Sequence, residues 1–250
     1  MEPNIEHFIG CASSFADAKA VIFGAPYDST TSYRPGARFG SAAIRHESFG
    51  IETFSPYQDK DLDGAPVFDS GDVELPFGAP GPALDLIERR AAEILDAGKL
   101  PVMLGGEHLV TLGAIRALSK RCHEFSIVHF DAHADLREDY LGNTLSHATV
   151  MRRCLDLMNL ADIEEDADAG CDECVAHNGG LSFRRVSPGE ASAEPRMNRR
   201  SSSPAPLYQF GIRSGTAAEF AFAKSAGVVT GRFALDTVPA VCQELARAKR

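Results

Sequence analysis

Apolar positions along the chain fall into short runs separated by polar, glycine-rich turns. Ala20-Val-Ile-Phe-Gly24 is five residues long and is closed by Pro26, the signature of a buried strand. Val67-Phe-Asp69 is a second short strand that leads into a Ser70-Gly-Asp72 loop. Between 82 and 97, Leu84, Ile87, Ala91, Ile94 and Leu95 recur at helical spacing, with Gly98 where a C-cap belongs. Pro101-Val-Met-Leu104 reads as another buried strand, and Gly105-Gly106 leads from it into a helix over about His108 to Leu118. Phe125-Ser-Ile-Val-His-Phe130 is a strand with acids at its far end. Ser41 opens a further helix through Arg45. After the irregular stretch discussed below, Leu207–Ile212 reads as a strand, about Ala217 to Lys224 as a helix, and about Val238 to Ala248 as a last helix.

Strands alternating with helices of this length predict parallel pairing in an α/β domain. Chemistry in such folds collects where strands end, and the polar clusters here all lie just after strands. The pattern breaks between 159 and 206. Asp162, Glu164, Glu165, Asp166 and Asp168 give way to Gly, Ser, Pro and Arg, the composition of a disordered insertion. The expected organisation is one domain over 1–250, interrupted at 159–206.

Composition narrows the function more than it reveals it. An apolar share of 44% suits a globular chain, and a net charge of −10 argues against nucleic acid as partner. No apolar run reaches the roughly 18 residues needed to span a bilayer, and Met1–Gly10 lacks the order of a signal peptide. Six cysteines scattered through apparent core elements suit reduced thiols. Together these predict a cytoplasmic location and no membrane partner.

The residues that carry chemistry are Asp131-Ala-His133-Ala-Asp135. In extended backbone alternate side chains share a face, so all three can converge. Ionisable groups packed so closely repel or desolvate one another unless a cation holds them. His108, at the end of the preceding strand, would lie beside them if the two strands were neighbours. Mixed imidazole and carboxylate donors suit Mn²⁺, Fe²⁺ or Zn²⁺. Cys171-Asp-Glu-Cys174 with His177 has the look of a partial zinc knuckle, but with no second Cys or His pair it reads as an accidental pair in a loop. Arg34 and Arg38 are expected to salt-bridge neighbouring acids, and Phe220 and Phe222 to pack in the core.

Four stretches resemble the ureohydrolases, the family of arginase and agmatinase. They are Gly24-Ala-Pro-Tyr-Asp-Ser-Thr-Thr-Ser-Tyr-Arg-Pro-Gly-Ala-Arg-Phe-Gly40, Leu104-Gly-Gly-Glu-His108, His129-Phe-Asp-Ala-His-Ala-Asp135 and Tyr208-Gln-Phe-Gly-Ile-Arg-Ser-Gly215. The resemblance covers about 20–158 and 207–235. The first stretch, with Leu136-Arg-Glu-Asp-Tyr140 and Ser146-His-Ala148, looks more like bacterial agmatinase than arginase. It implies a three-layer α/β/α fold around a mainly parallel sheet, C-terminally incomplete here, and assembly into a homo-oligomer.

The resemblance also implies a reaction. The family splits urea from guanidino compounds with two Mn²⁺ ions that activate a shared water. By that likeness His108 and Asp135 hold one ion, His133 the other, Asp131 bridges them, and His147 passes protons to the leaving amine. The small-molecule substrate it implies is agmatine, giving putrescine and urea in polyamine biosynthesis, with guanidinobutyrate as an alternative. The chain departs from the family where a later strand should end in Asp-x-Asp and a glutamate should grip the guanidinium. Asp166-Ala-Asp168 lies in the insertion and reads as solvated charge. Four ligands suit one ion better than two, so a catalytically impaired subunit that acts by association is the second expectation.

Overall fold

The computed structural model describes residues 1, 6–122, 124–161, 172–177, 180–185, 206–231 and 237–248. The chain divides into two compact units, Met1–Arg121 with Asp172–Arg184, and Cys122–Cys171 with Arg185–Arg250.

The first unit is built on a parallel three-stranded sheet in the order β4-β1-β5. Its strands are β1 (Ala20–Ala25), β4 (Val67–Asp72) and β5 (Leu100–Gly105). The central strand is the apolar run from Ala20, and Val21, Phe23 and Ala25 are fully buried in it. A 3-10 turn (Ala37–Phe39) leads into α1 (Gly40–Ser48), and the two-residue strands β2 (Phe54–Ser55) and β3 (Lys60–Asp61) pair antiparallel.

The periodic stretch after Pro80 is α2 (Pro80–Asp96), and its face of Leu84, Ile87, Ala91, Ile94 and Leu95 is buried as the spacing predicts. Each large aliphatic side chain there contributes about 1.5–3 kcal/mol by leaving water. α3 (Val110–Ser119) follows β5 and buries Val110, Leu112 and Ala117. Gly106 sits where the chain turns toward α3. A Cβ there would fall 2.6 Å from the Ala25 carbonyl oxygen, so only glycine fits.

Ser70-Gly-Asp72 is strand and not the loop its polarity suggests. Arg45 of α1 explains this. It is 3% exposed and makes a bidentate pair with Asp69, Nε to Oδ2 at 2.8 Å and Nη2 to Oδ1 at 2.9 Å. It also pairs with Asp72, whose Oδ2 accepts from Ser41 Oγ at 2.8 Å. Neutralised in this way, Asp69 can stay buried in the strand.

The second unit has a parallel sheet in the order β10-β9-β6. It comprises β6 (Ile127–Phe130), β9 (Leu207–Phe210) and β10 (Val229–Gly231), with α4 (Val150–Ala161), α5 (Ala217–Ser225) and α6 (Val238–Ala248). β9 is buried at every position, and Tyr208 and Phe210 form a cluster with Val241, backed by Val238 and Leu245 of α6. At the outer strand β6, by contrast, Val128 and Phe130 are exposed, as are Leu100 and Val102 on β5 in the first unit.

Within 159–206, β7 (Asp172–His177) pairs with β8 (Gly180–Arg185), a ladder the lack of periodicity did not predict. Asp162, Glu164, Glu165, Asp166, Asp168 and Cys171 lie outside the described residues, as do the side chains of Cys174 and His177. Cys11, Cys122 and Cys154 are buried free thiols and Cys242 is an exposed one. No described helix is long and apolar enough to cross a membrane.

Candidate metal centre

The candidate ligands of the second unit follow β6, and the adjoining strand decides their conformation. β6 and β9 run parallel from the Ile127–Leu207 pair to the Phe130–Phe210 pair. The ladder then continues past both strands. The Asp131 amide donates to the Phe210 carbonyl at 3.1 Å, Arg213 and Ser214 donate to Ala132 at 2.8 and 3.0 Å, and Ala134 donates to Ser214 at 3.1 Å. The Gly-Ile-Arg-Ser stretch is thus the edge against which Asp131–Asp135 is laid. Gly211 has φ +81, and a Cβ there would meet the Asp131 carbonyl oxygen at 3.2 Å.

Asp131 is held from two sides. Its Oδ1 accepts from the His133 amide at 2.8 Å and lies 3.4 Å from His133 Nδ1. Its Oδ2 lies 3.4 Å from Nε2 of His129, a buried side chain. Asp135 is buried and left-handed at φ +52. Its carbonyl accepts from the amides of Met151 at 3.0 Å and Arg152 at 3.3 Å, which satisfies the open N-terminus of α4. His129, Asp131 and Asp135 bring ligand atoms within 4.8 Å of one another. Two carboxylates and an imidazole so close form a donor set that suits a divalent cation of intermediate hardness.

The other expected residues stand as follows. The His133 side chain is 65% exposed and is not one of that trio. His108 belongs to the first unit, half-buried behind Glu107. Glu107 itself is buried and accepts from the Thr30 amide at 2.8 Å and the Thr30 hydroxyl at 2.7 Å, fixing the hydroxyl-rich loop after β1. In the same loop Asp28 accepts from the Gly36 amide at 2.7 Å and pairs with Arg38 at 3.1 Å, the ion pair expected of that arginine. His147 is half-buried, its ring edge-on to Tyr140 at 5.4 Å, and the Arg137 guanidinium lies over the Tyr140 ring at 4.9 Å.

Two residues of this centre escaped the sequence reading. From sequence His129 reads only as a strand residue, although 129, 131, 133 and 135 share one alternation. Glu219 is the N3 residue of a capping box on α5, its Oε2 accepting from the Thr216 amide at 2.7 Å. Its Oε1 accepts from the Leu136 amide at 3.1 Å, so the cap also fastens the segment just after Asp135. Thr216-Ala-Ala-Glu219 was the available signal.

Comparison with known proteins bears on the family and the fold. The arginase family model matches residues 18–239. The agmatinase of Bacillus anthracis is 39% identical over 226 residues, covering 90% of this chain and 63% of that protein. N(1)-aminopropylagmatine ureohydrolase of Thermococcus kodakarensis is 39% identical over 142 residues, 56% of this chain and 48% of the relative. The crystal structure of agmatine ureohydrolase of Thermoplasma volcanium superposes with a TM-score of 0.72 at 26% identity, covering 98% of this chain and 68% of that one. The chain therefore spans somewhat less than two thirds of the length of its Bacillus relative. Parallel sheets flanked by helices, the motifs along both units and the family match together make this chain a member of the arginase family, with its α/β/α fold.

Proposed function

We propose that this protein is a Mn²⁺-dependent amidinohydrolase that converts agmatine to putrescine and urea. The observation that carries the reading is the convergence of Asp131 and Asp135 at the end of β6, in a chain similar to agmatinases along most of its length. His108, Asp131, His133 and Asp135 would hold the metal, with Asp131 shared where two ions bind. When bound, Mn²⁺ would lower the pKa of water and so supply hydroxide at neutral pH.

The chain's own residues do the rest. The two carboxylates concentrate negative charge that draws a cationic guanidinium as well as the metal. His147, kept in place by Tyr140, is the proton carrier for the departing amine, a role that suits an imidazole. The substrate is a small guanidino compound, and the protein works as a cytoplasmic homo-oligomer. Aminopropylagmatine, named in one relative, and guanidinobutyrate are the competing substrates.

The second reading is a subunit that binds one ion and acts by association, favoured by the His133 side chain, which is exposed and lies outside the trio of His129, Asp131 and Asp135. Metal content per chain and urea release from each guanidino compound decide between them. Two ions and urea from agmatine are expected, and Asp131→Ala should lose both. Fewer than two tightly held ions with no urea from agmatine would defeat the enzyme reading. Full metal retention in Asp131→Ala would mean the site is elsewhere.

A further inference from the structure

In the second unit, the starts of two helices meet on one peptide group, the one that joins Asp135 to Leu136. Its carbonyl oxygen accepts from the amides of Met151 at 3.0 Å and Arg152 at 3.3 Å, in the first turn of α4. Its N–H donates to Glu219 Oε1 at 3.1 Å. Glu219 is 4% exposed, and its other oxygen accepts from the Thr216 amide at 2.7 Å and the Thr216 hydroxyl at 2.9 Å, which closes the capping box of α5. Arg137 Nε lies 3.5 Å from that same oxygen.

A peptide group is planar, so holding its oxygen and its hydrogen holds the whole plane. That plane sets ψ of Asp135. The preceding peptide is pinned as well, since the Gln209 side-chain nitrogen donates to the Ala134 carbonyl at 2.8 Å. Asp135 is left-handed at φ +52, a conformation uncommon for any residue but glycine, and such backbone persists where its surroundings over-determine it. To relax, Asp135 would have to turn the following peptide and give up the bonds to Met151, Arg152 and Glu219 together. Leu136 is 1% exposed, so its amide would find no water in exchange. A helix cap alone needs one oxygen of Glu219, and the second serves a residue 83 positions earlier.

We infer that Glu219 is a positioning residue for the candidate metal centre: by clamping the Asp135–Leu136 peptide against the start of α4, it keeps Asp135 left-handed and holds its carboxylate beside that of Asp131. One side chain thus sets both the start of α5 and the turn that carries a ligand. Groups that hold ligands from outside the coordination sphere commonly govern metal affinity. The consequence for metal binding rests on Asp135 being a ligand, as proposed above; the clamp on the peptide does not. Cap and clamp are separable, because Thr216→Ala removes the hydroxyl from the cap and leaves Glu219 Oε1 on the Leu136 amide.

The test uses the full chain, with Mn²⁺ alone as the probe. Residue-resolved hydrogen exchange of the metal-free protein should find the Leu136 amide protected, and equally so in Thr216→Ala. Glu219→Ala should speed its exchange by about tenfold or more, as the loss of one buried hydrogen bond requires. In Mn²⁺ titrations, affinity should fall by about tenfold in Glu219→Ala and stay at the wild-type value in Thr216→Ala. Fast exchange at Leu136 in the unmodified chain overturns the inference whatever the variants do. So does wild-type affinity in Glu219→Ala, or an equal loss in both variants, which would reduce Glu219 to a helix cap. Glu219→Gln, of the same size but with a weaker neutral acceptor, stands in if Glu219→Ala does not fold. It should move exchange and affinity in the same directions, and no movement in either overturns the inference. If the unmodified chain binds no Mn²⁺, the metal reading fails, while exchange at Leu136 still decides the clamp.

Discussion

Asp135 concentrates several demands in one residue. Its side chain faces the other candidate ligands, its backbone is left-handed at φ +52, and its carbonyl holds the first turn of α4. Aspartate is among the few non-glycine residues that tolerate such a backbone, so a residue suited to a metal also suits the turn. At this scale the site was half legible. The alternation at 131, 133 and 135 was visible because period two is a property of extended chain. The clamp on the next residue was not, because Glu219 lies 83 positions from Leu136 and is brought alongside only by folding. Cys11 shows a different dependence on surroundings. Burial, and secondarily the charge of Asp69, push its thiol up from 9.0 to about 11. A raised folded pKa means that the protonated thiol is preferred in the native state, so its contribution is complete below about pH 9 and is lost as pH rises toward about 11. Alkylation followed by mass spectrometry should leave Cys11 unmodified near neutral pH in the folded chain while the exposed Cys242 reacts. Equal rates at the two thiols would contradict the burial argument.

Among the elements, those with strong apolar periodicity were the readable ones. α2 lies over Pro80–Asp96 against an expectation of 82–97, and α6 matches its expected span. β4 was harder, because its last three residues are Ser, Gly and Asp and the cation that stabilises the acids lies on α1, more than twenty residues earlier. Long-range ion pairing leaves no local pattern. That dependence can be measured. Arg45→Met should remove the cation while Asp69 stays buried at 2% exposure, at a cost of about 3–5 kcal/mol. A second substitution, Asp69→Asn, should restore part of the loss by removing the unpaired charge. Denaturant midpoints of the single and double variants report it. A loss below about 1 kcal/mol in Arg45→Met would show that the network contributes no more than a surface ion pair.

For the molecule as a whole, family membership rests on motifs spread through both units. The two sheets carry a further consequence. Parallel strands normally have both faces covered. Here β6 stands last in its sheet's order with Val128 and Phe130 exposed, and β5 last in the other with Leu100 and Val102 exposed. Branched and aromatic side chains on a terminal strand act as a template for another copy, and each copy added presents the same template again. A closed oligomer reaches a plateau with concentration; growth from a strand edge does not. Light scattering of the isolated chain should rise as concentration increases, and Val128→Lys should suppress that rise by placing a charge where the next strand would lie. A plateau at a fixed small assembly would assign the exposed strands to a closed interface. The exposed terminal strands, and not the metal centre, are thus where substitution should change how the chain behaves at high concentration.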